Sequence, residues 1–320
     1  MIKKRRLGKT GILVSEISLG GFQLGEKTII NNNASTSFGG MNEEDSIELI
    51  QKAVEFGINT FDTADVYALG SSEYRLGKAL KHIRSEVNIF TKAGNIISNP
   101  ARNDISYHHL MAAIDRSLER LQTDYIDLFQ IHIPPKTEKE FTDVERVFSE
   151  LRSENKSKFC GISVGIRYEM GLEIIKRGIA DSIQIYFSLI DPKPLKELLP
   201  LAKKHNVGII VAEPLAQGLL SNKYKPGHTF PSTDLRSSGY TTELLEKKLK
   251  RVEQFEFLIN ENRTLSQAAL AYILTKEEIS TCIPGAKSIE QLQSNISSKD
   301  IELNQMELNK IREIQNSWDD

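Results

Sequence analysis

The chain has 320 residues with 41 Lys+Arg against 43 Asp+Glu, a formal net charge of -2, which offers no broad basic surface for nucleic acid. Hydrophobic residues make up 39% and charged residues 26%, ordinary values for a soluble globular chain, with no apolar run of about eighteen residues to span a membrane. The basic start Met1-Ile-Lys-Lys-Arg-Arg-Leu-Gly8 lacks the apolar stretch of a signal peptide, so the cytoplasm is the expected location.

Arg5 to Val14 reads as a capping hairpin with a turn at Gly8-Lys-Thr-Gly11, and Ile17-Ser-Leu-Gly20 as the first barrel strand. Glu43 to Phe56 sets Ile47, Ile50 and Val54 on one helical face before the strand Gly57-Ile-Asn-Thr-Phe-Asp62. Ser72 to Ile83 presents Leu76, Ala79, Leu80 and Ile83 before Val87-Asn-Ile-Phe-Thr-Lys92, and His108 to Leu121 presents Leu110, Ile114, Leu118 and Leu121 before Tyr125 to His132. Strand-like runs recur at Phe159–Ser163, Ser182–Tyr186, Val207–Ala212 and Ser280–Pro284, so that, counting Ile17 as the first, eight candidate strands alternate with amphipathic segments. Eight is the number a closed parallel barrel needs. The expected fold is α/β, a (β/α)8 TIM barrel with an N-terminal β-hairpin cap, built as one domain over residues 1–320. A doubly wound open sheet is the rival, but no strand leads into the glycine-rich phosphate turn of a Rossmann unit.

Two stretches fit neither strand nor helix: Glu26 to Gly40, which includes Asn31 to Asn33, and Lys225 to Gly239. Loops of this length tend to be lids or binding loops, and the second comes after the seventh strand, where it would overhang the mouth. Cys160 and Cys282 fall in apolar strand-like runs and read as buried free thiols. His108 and His109 have no further Cys or His at ligand spacing, so no metal site is expected. Trp318 reads as a packing anchor of the last amphipathic segment.

Four polar residues, Asp62, Tyr67, Lys92 and His132, lie at or just past strand ends, and a parallel barrel gathers its strand ends at one mouth. An acid, a phenol, an amine and an imidazole together can move a proton. Reducing a carbonyl by hydride places negative charge on oxygen, so such a site needs a proton donor and a positive surrounding. Tyrosine, with an ordinary pKa of ~10, is a reluctant acid. Lys92 is expected to lower that pKa, Asp62 to hold the ammonium, and His132 to orient the carbonyl oxygen. A helix N-cap role is the competing reading for Asp62, a rim contact that for Tyr67.

The segments Phe61-Asp-Thr-Ala-Asp-Val-Tyr67, Ser72-Glu73, Leu76-Gly77, Thr91-Lys92 and Leu121 to His132 resemble the signature segments of the aldo-keto reductases, and the similarity runs from Arg6 past Ile283-Pro-Gly-Ala286. The resemblance implies a barrel that uses NADPH to reduce a small-molecule carbonyl, an aldehyde, ketone or keto-sugar, with Tyr67 as proton donor. It further implies nicotinamide contacts from Ser163 and Gln184, a cofactor lining at Gly21, Phe22, Asp62 and Glu213, and a pyrophosphate loop at Leu215, Gln217 and Gly218. Lys287 and Ser288 would meet the adenosine 2′-phosphate, with Gln291 and Asn295 toward the adenine, and a charged Lys287 favours NADPH over NADH. Two positions depart from the family pattern: Val164 follows Ser163 where asparagine is common, and Ala212 stands where a stacking aromatic is common. The alternative is a non-catalytic, nucleotide-binding regulatory subunit resembling channel β-subunits. No nucleic-acid or membrane partner is expected.

Overall fold

Eight parallel strands pair in the order in which they occur along the chain: Leu19–Gly20, Thr60–Asp62, Asn88–Ala93, Ile126–Ile131, Ser157–Gly165, Ser182–Tyr186, Gly208–Ala212 and Thr281–Cys282. The ring closes between its ends, where Ile17 bridges Cys282 in parallel and the Ser18 N–H donates to the Cys282 carbonyl at 2.9 Å. This is a (β/α)8 barrel. The computed structural model describes residues 2–26, 29–30, 34–35, 40–98, 102–231 and 234–318.

The strands are Val-, Ile- and Phe-rich because a parallel barrel is buried on both faces, and Phe61, Phe90, Phe129, Ile162, Ile183 and Ile210 are all at 0% exposure. Helices α1 (Glu43–Glu55), α2 (Ser71–Leu80), α3 (Tyr107–Leu121), α4 (Glu138–Ser153), α5 (Tyr168–Arg177) and α6 (Leu198–Lys204) lie between successive strands from the first to the seventh, each burying an apolar stripe. Helix starts are fixed locally: Thr137 accepts from the Glu140 N–H at 3.2 Å while Glu140 reaches back to the Thr137 N–H at 2.9 Å, a capping box that opens α4. Helices α7 (Leu235–Gly239) and α8 (Thr242–Glu253) lie between the seventh and eighth strands, ahead of α9 (Leu265–Leu274). Helices α10 (Ile289–Ser297) and α11 (Gln305–Asn316) end the chain.

The hairpin pairs Lys4–Arg6 with Leu13–Ser15 and closes the end of the barrel opposite the site. Arg5 ties it down, donating to the carbonyls of Leu274 (2.7 Å), Lys276 (3.0 Å) and Ile279 (3.1 Å) and pairing with Glu16. Its turn lies so close to the seventh strand that a Cβ on Gly8, at φ +50°, would fall 2.3 Å from the Gly208 nitrogen. Leu7 and Val14 enter one core with Phe90, Leu128 and Ile210.

The loops differ from expectation in two respects. The end of the Lys225–Gly239 segment is not irregular but forms α7, because Asp234 caps it by accepting from the Arg236 N–H at 2.9 Å. Most of Glu26–Gly40, including Asn31 to Asn33, lies outside the described residues, although Ile29–Ile30 and Ala34–Ser35 pair antiparallel. Cys160 and Cys282 are buried free thiols, each pushed up to about 12 chiefly by burial. Trp318 packs edge-on to Phe255, with ring centroids 5.9 Å apart, and donates to Gln254 at 3.0 Å.

Candidate active site

The barrel brings the four strand-end residues together. Asp62 closes the second strand and Lys92 lies in the third, with side chains only 2% and 0% exposed, and they form a buried ion pair. The Lys92 ammonium also donates to the Thr63 carbonyl at 2.7 Å and lies 5.2 Å from the centre of the Tyr67 ring. The His132 ring, just past the fourth strand, packs edge-on to Tyr67 at 5.8 Å, and the His132 N–H is anchored to the Ala93 carbonyl at 2.8 Å. No helix starts at Asp62, which leaves its carboxylate to Lys92 rather than to a cap.

Tyr67 stands in a tight turn between the second strand and α2. Ala68, Leu69 and Gly70 come next at φ +47°, +56° and +90°. Two non-glycine residues in the left-handed region cost about 1–2 kcal/mol each, a strain that the surrounding packing must hold in place. At Gly70 the φ of +90° strains any side chain, and a Cβ there would also lie 2.7 Å from the Arg120 side chain, so glycine is favoured at the third residue.

The electrostatics correct one expectation. Lys92 does not bring Tyr67 down; the Tyr67 hydroxyl is held well above the ordinary value, first by burial and then by the Asp62, Glu213 and Asp65 carboxylates. Asp62, bound to the ammonium, sets its own negative charge against the same phenol, so the nearby cation does not outweigh the burial. Burial lowers the Lys92 pKa, and Asp62 opposes the change. Burial, helped by Lys92, drops His132 to about 3. At neutral pH the imidazole is therefore uncharged, with one N–H to offer a carbonyl oxygen, and its Nδ1 has no partner among the described residues.

Asp62 is held by more than Lys92. Its second oxygen accepts from the Gln130 amide at 3.1 Å and from the Gln184 amide at 2.9 Å. Gln130 was hidden in the apolar run before His132; the period-two rule puts it on the same strand face as His132 and was the available signal. Gln184, taken by resemblance as a nicotinamide contact, thus touches Asp62 through its amide nitrogen, leaving its oxygen as the atom to accept from a carboxamide. Glu73, fully buried, and Asp65, half-buried, add two further acids whose charges act on Lys92.

Around this centre the expected cofactor residues fall into two groups. At the mouth, Ser163 is buried and paired in register with Gln184. Phe22 packs edge-on to Tyr67 at 5.0 Å, and Gly21 lies against the second strand so closely that a Cβ would be 2.9 Å from the Asp62 carbonyl. Ala212 is paired in register with Tyr186 of the sixth strand. Tyr186, whose hydroxyl is raised by burial and then by Glu213 and Tyr67, puts an aromatic ring beside the position that lacks one.

After the seventh strand, Glu213, Ala216, Gln217 and Gly218 all have positive φ, from +48° to +90°. Such a run turns successive N–H groups to one side and makes an anion-binding concavity. The Leu215 and Gln217 N–H groups have no partner among the described residues, whereas that of Gly218 is taken by the Leu215 carbonyl at 2.9 Å. Gly218 therefore shapes the loop without donating. Glu213 accepts from the Gln217 amide at 2.8 Å, and burial raises its carboxyl to about 7.

The eighth strand ends beside α10. Ser288 caps that helix by accepting from the Gln291 N–H at 3.3 Å, Gln291 accepts from the Lys287 N–H at 2.9 Å, and buried Asn295 donates to the Gly285 carbonyl at 3.2 Å. Gln291 and Asn295 thus shape this corner as well as lining it. Partial burial and the nearby Arg236 lower the Lys287 pKa. Sequence reasoning missed Arg236: it bonds the Gln217 carbonyl at 3.0 Å and pairs with Asp234, so a second cation joins Lys287 here. Free backbone donors, two cations and a helix start fit the phosphates of a dinucleotide.

Residues 16–316 match the model of the aldo/keto reductase family. An uncharacterised oxidoreductase of Bacillus subtilis, YqkF, is 31% identical over 93% of this chain and 91% of its own length. A putative voltage-gated potassium channel β-subunit of Schizosaccharomyces pombe is 32% identical over 98% and 93%. Among solved structures, the holo form of the aldo-keto reductase AKR11C1 from Bacillus halodurans superposes with a TM-score of 0.80 at 30% identity, covering 98% of this chain and 96% of that one. Together with the closed barrel, these similarities establish that the chain belongs to the aldo/keto reductase family of NAD(P)H-dependent oxidoreductases.

Proposed function

We propose that the protein reduces a small carbonyl compound, an aldehyde, ketone or keto-sugar, to the alcohol with NADPH, and that Tyr67 gives the proton. The observation that carries this reading is the buried Lys92–Asp62 pair set under Tyr67 and next to an uncharged His132. NADPH, held by Lys287, Arg236 and the loop at Leu215 and Gln217, would supply a hydride for the carbonyl carbon. His132 offers its N–H to the carbonyl oxygen and fixes the face presented to the cofactor. As charge grows on that oxygen, the Tyr67 O–H bond breaks and its proton passes to the oxygen. The high pKa of Tyr67 keeps the donor protonated throughout the working range. Lys92 stabilises the phenolate left behind, and Asp62, clamped by Gln130 and Gln184, keeps Lys92 in place.

NADPH is the proposed cofactor because Lys287 and Arg236 stand together at the start of α10 and the Leu215 and Gln217 N–H groups are unpaired among the described residues. A regulatory nucleotide-binding subunit is the second reading, favoured by the similarity to the yeast channel subunit. A panel of aldehydes, ketones and keto-sugars, followed by loss of reduced-nicotinamide absorbance, separates the two. Turnover of at least one carbonyl supports the reductase. Tight NADPH binding with no turnover of any supports the regulatory subunit.

A further inference from the structure

Next to Lys92 lies a charged cluster, centred on one fully buried carboxylate, that the proposed proton transfer does not use. Glu73, on α2, is 0% exposed and accepts from the Thr91 hydroxyl at 2.5 Å and from Arg120 of α3 at 2.6 and 2.7 Å. Asp65, three residues past Asp62, donates its N–H to the Lys92 carbonyl at 2.9 Å, and its Oδ1 is buried with no hydrogen-bond partner among the described residues. A buried, unpartnered carboxylate oxygen is costly, and a carboxyl so placed gains from keeping its proton.

We propose that Asp65, set against the Glu73–Arg120 pair, is a positioning residue whose gain or loss of a proton adjusts Lys92 and Tyr67 and so sets the pH dependence of the reaction. The inference rests on the reductase reading. The groups facing Asp65 are Glu73 from α2, Arg120 and Arg116 from α3, Lys92 from the third strand, and Tyr67 on its own loop. Burial and Glu73 raise the Asp65 carboxyl to about 7, against the pull of Arg120, the Val66 N–H and Arg116. Its charge in turn raises both Lys92 and Tyr67.

Below about 7 Asp65 is neutral; as pH rises through that value a negative charge appears beside the active site. That charge holds the proton more firmly on Tyr67, making the phenol a weaker donor in reduction. Carbonyl reduction should therefore fall through a transition in the neutral range, apart from any limb set by Lys92.

Two measurements on the intact protein test this. In aspartate side-chain NMR, wild type should show one carboxyl titrating near neutrality, and that signal should be missing from Asp65→Asn, an isosteric change at a carboxyl with one oxygen unpartnered. In the pH profile of carbonyl reduction, the transition with the same midpoint should be lost in Asp65→Asn. A merely structural role would lower the rate and leave the midpoint in place, which would overturn the proposal, as would the absence of the titrating signal in wild type. If no carbonyl is reduced, the reductase reading fails alone. Coupling is then read from the tyrosinate difference absorbance between each protein and its Tyr67→Phe counterpart: Asp65→Asn must move the Tyr67 phenol to lower pH, and an unmoved phenol overturns the inference.

Discussion

Replacing Lys92 by methionine keeps the volume of the side chain and removes its charge, leaving the Asp62 carboxylate at 2% exposure without its cation. Breaking a buried pair by deleting one partner costs about 3–5 kcal/mol, most of it the penalty for the stranded charge. Here the lower end applies, because Asp62 keeps the Gln130 and Gln184 amides on its second oxygen. A loss of about 3 kcal/mol corresponds to a fall in melting temperature of roughly 4–5 °C for a chain of this size. The double variant Lys92→Met/Asp62→Asn removes the stranded charge and still gives both glutamines an acceptor. It should recover most of the loss while remaining inactive. Thermal melts by circular dichroism and denaturant titrations of the two proteins provide the comparison. A double variant as unstable as the single one would show that the cost lies in packing around Lys92, and the charge argument for this site would be wrong.

Lys287→Ala should weaken NADPH by about tenfold, ~1.4 kcal/mol, and leave NADH nearly unchanged, read by fluorescence titration at low salt because exposed charges are screened. Equal weakening of both cofactors would assign Lys287 to the fold of the α10 corner. Gln130→Leu removes one of the two amides on Asp62 together with an unpartnered amide oxygen. It should lower kcat several-fold with cofactor affinity intact, and Gln130→Glu, which sets a second carboxylate against Asp62, should be worse. A neutral result in both would leave Gln184 as the sole support of that oxygen.

The architecture was legible because strand and helix periodicities differ sharply: each of the eight expected strands is present, and the helix expected over 43–56 is observed at Glu43–Glu55. The meeting of Asp62, Tyr67, Lys92 and His132 followed from the topology of a parallel barrel alone. What the sequence could not convey was the balance of burial against charge. Lys92 was expected to lower Tyr67, but the loss of water around the phenol, and the action of three carboxylates on it, depend on packing between separate elements of the barrel. Arg236 escaped notice for a similar reason: it belongs to a segment read as loop, and only the cap from Asp234 turns it toward Gln217. Gln130 reads as an ordinary residue of an apolar strand, and Ser72-Glu73 only as part of a signature segment; the partners of both come from other strands and helices.

The central claim is that Tyr67 supplies the proton in the chemical step, and single-turnover reduction by wild type and Tyr67→Phe, with NADPH already bound, tests it most directly. The phenyl ring keeps the edge-on contacts to Phe22 and His132, so the fold and the affinity for NADPH should persist. The rate of hydride transfer should drop by ~10²–10⁴-fold, the usual contribution of a general acid. A variant that transfers hydride at more than about half the wild-type rate, where a general acid should matter at least a hundredfold, would show that another group protonates the alkoxide, and the account of this site would fail.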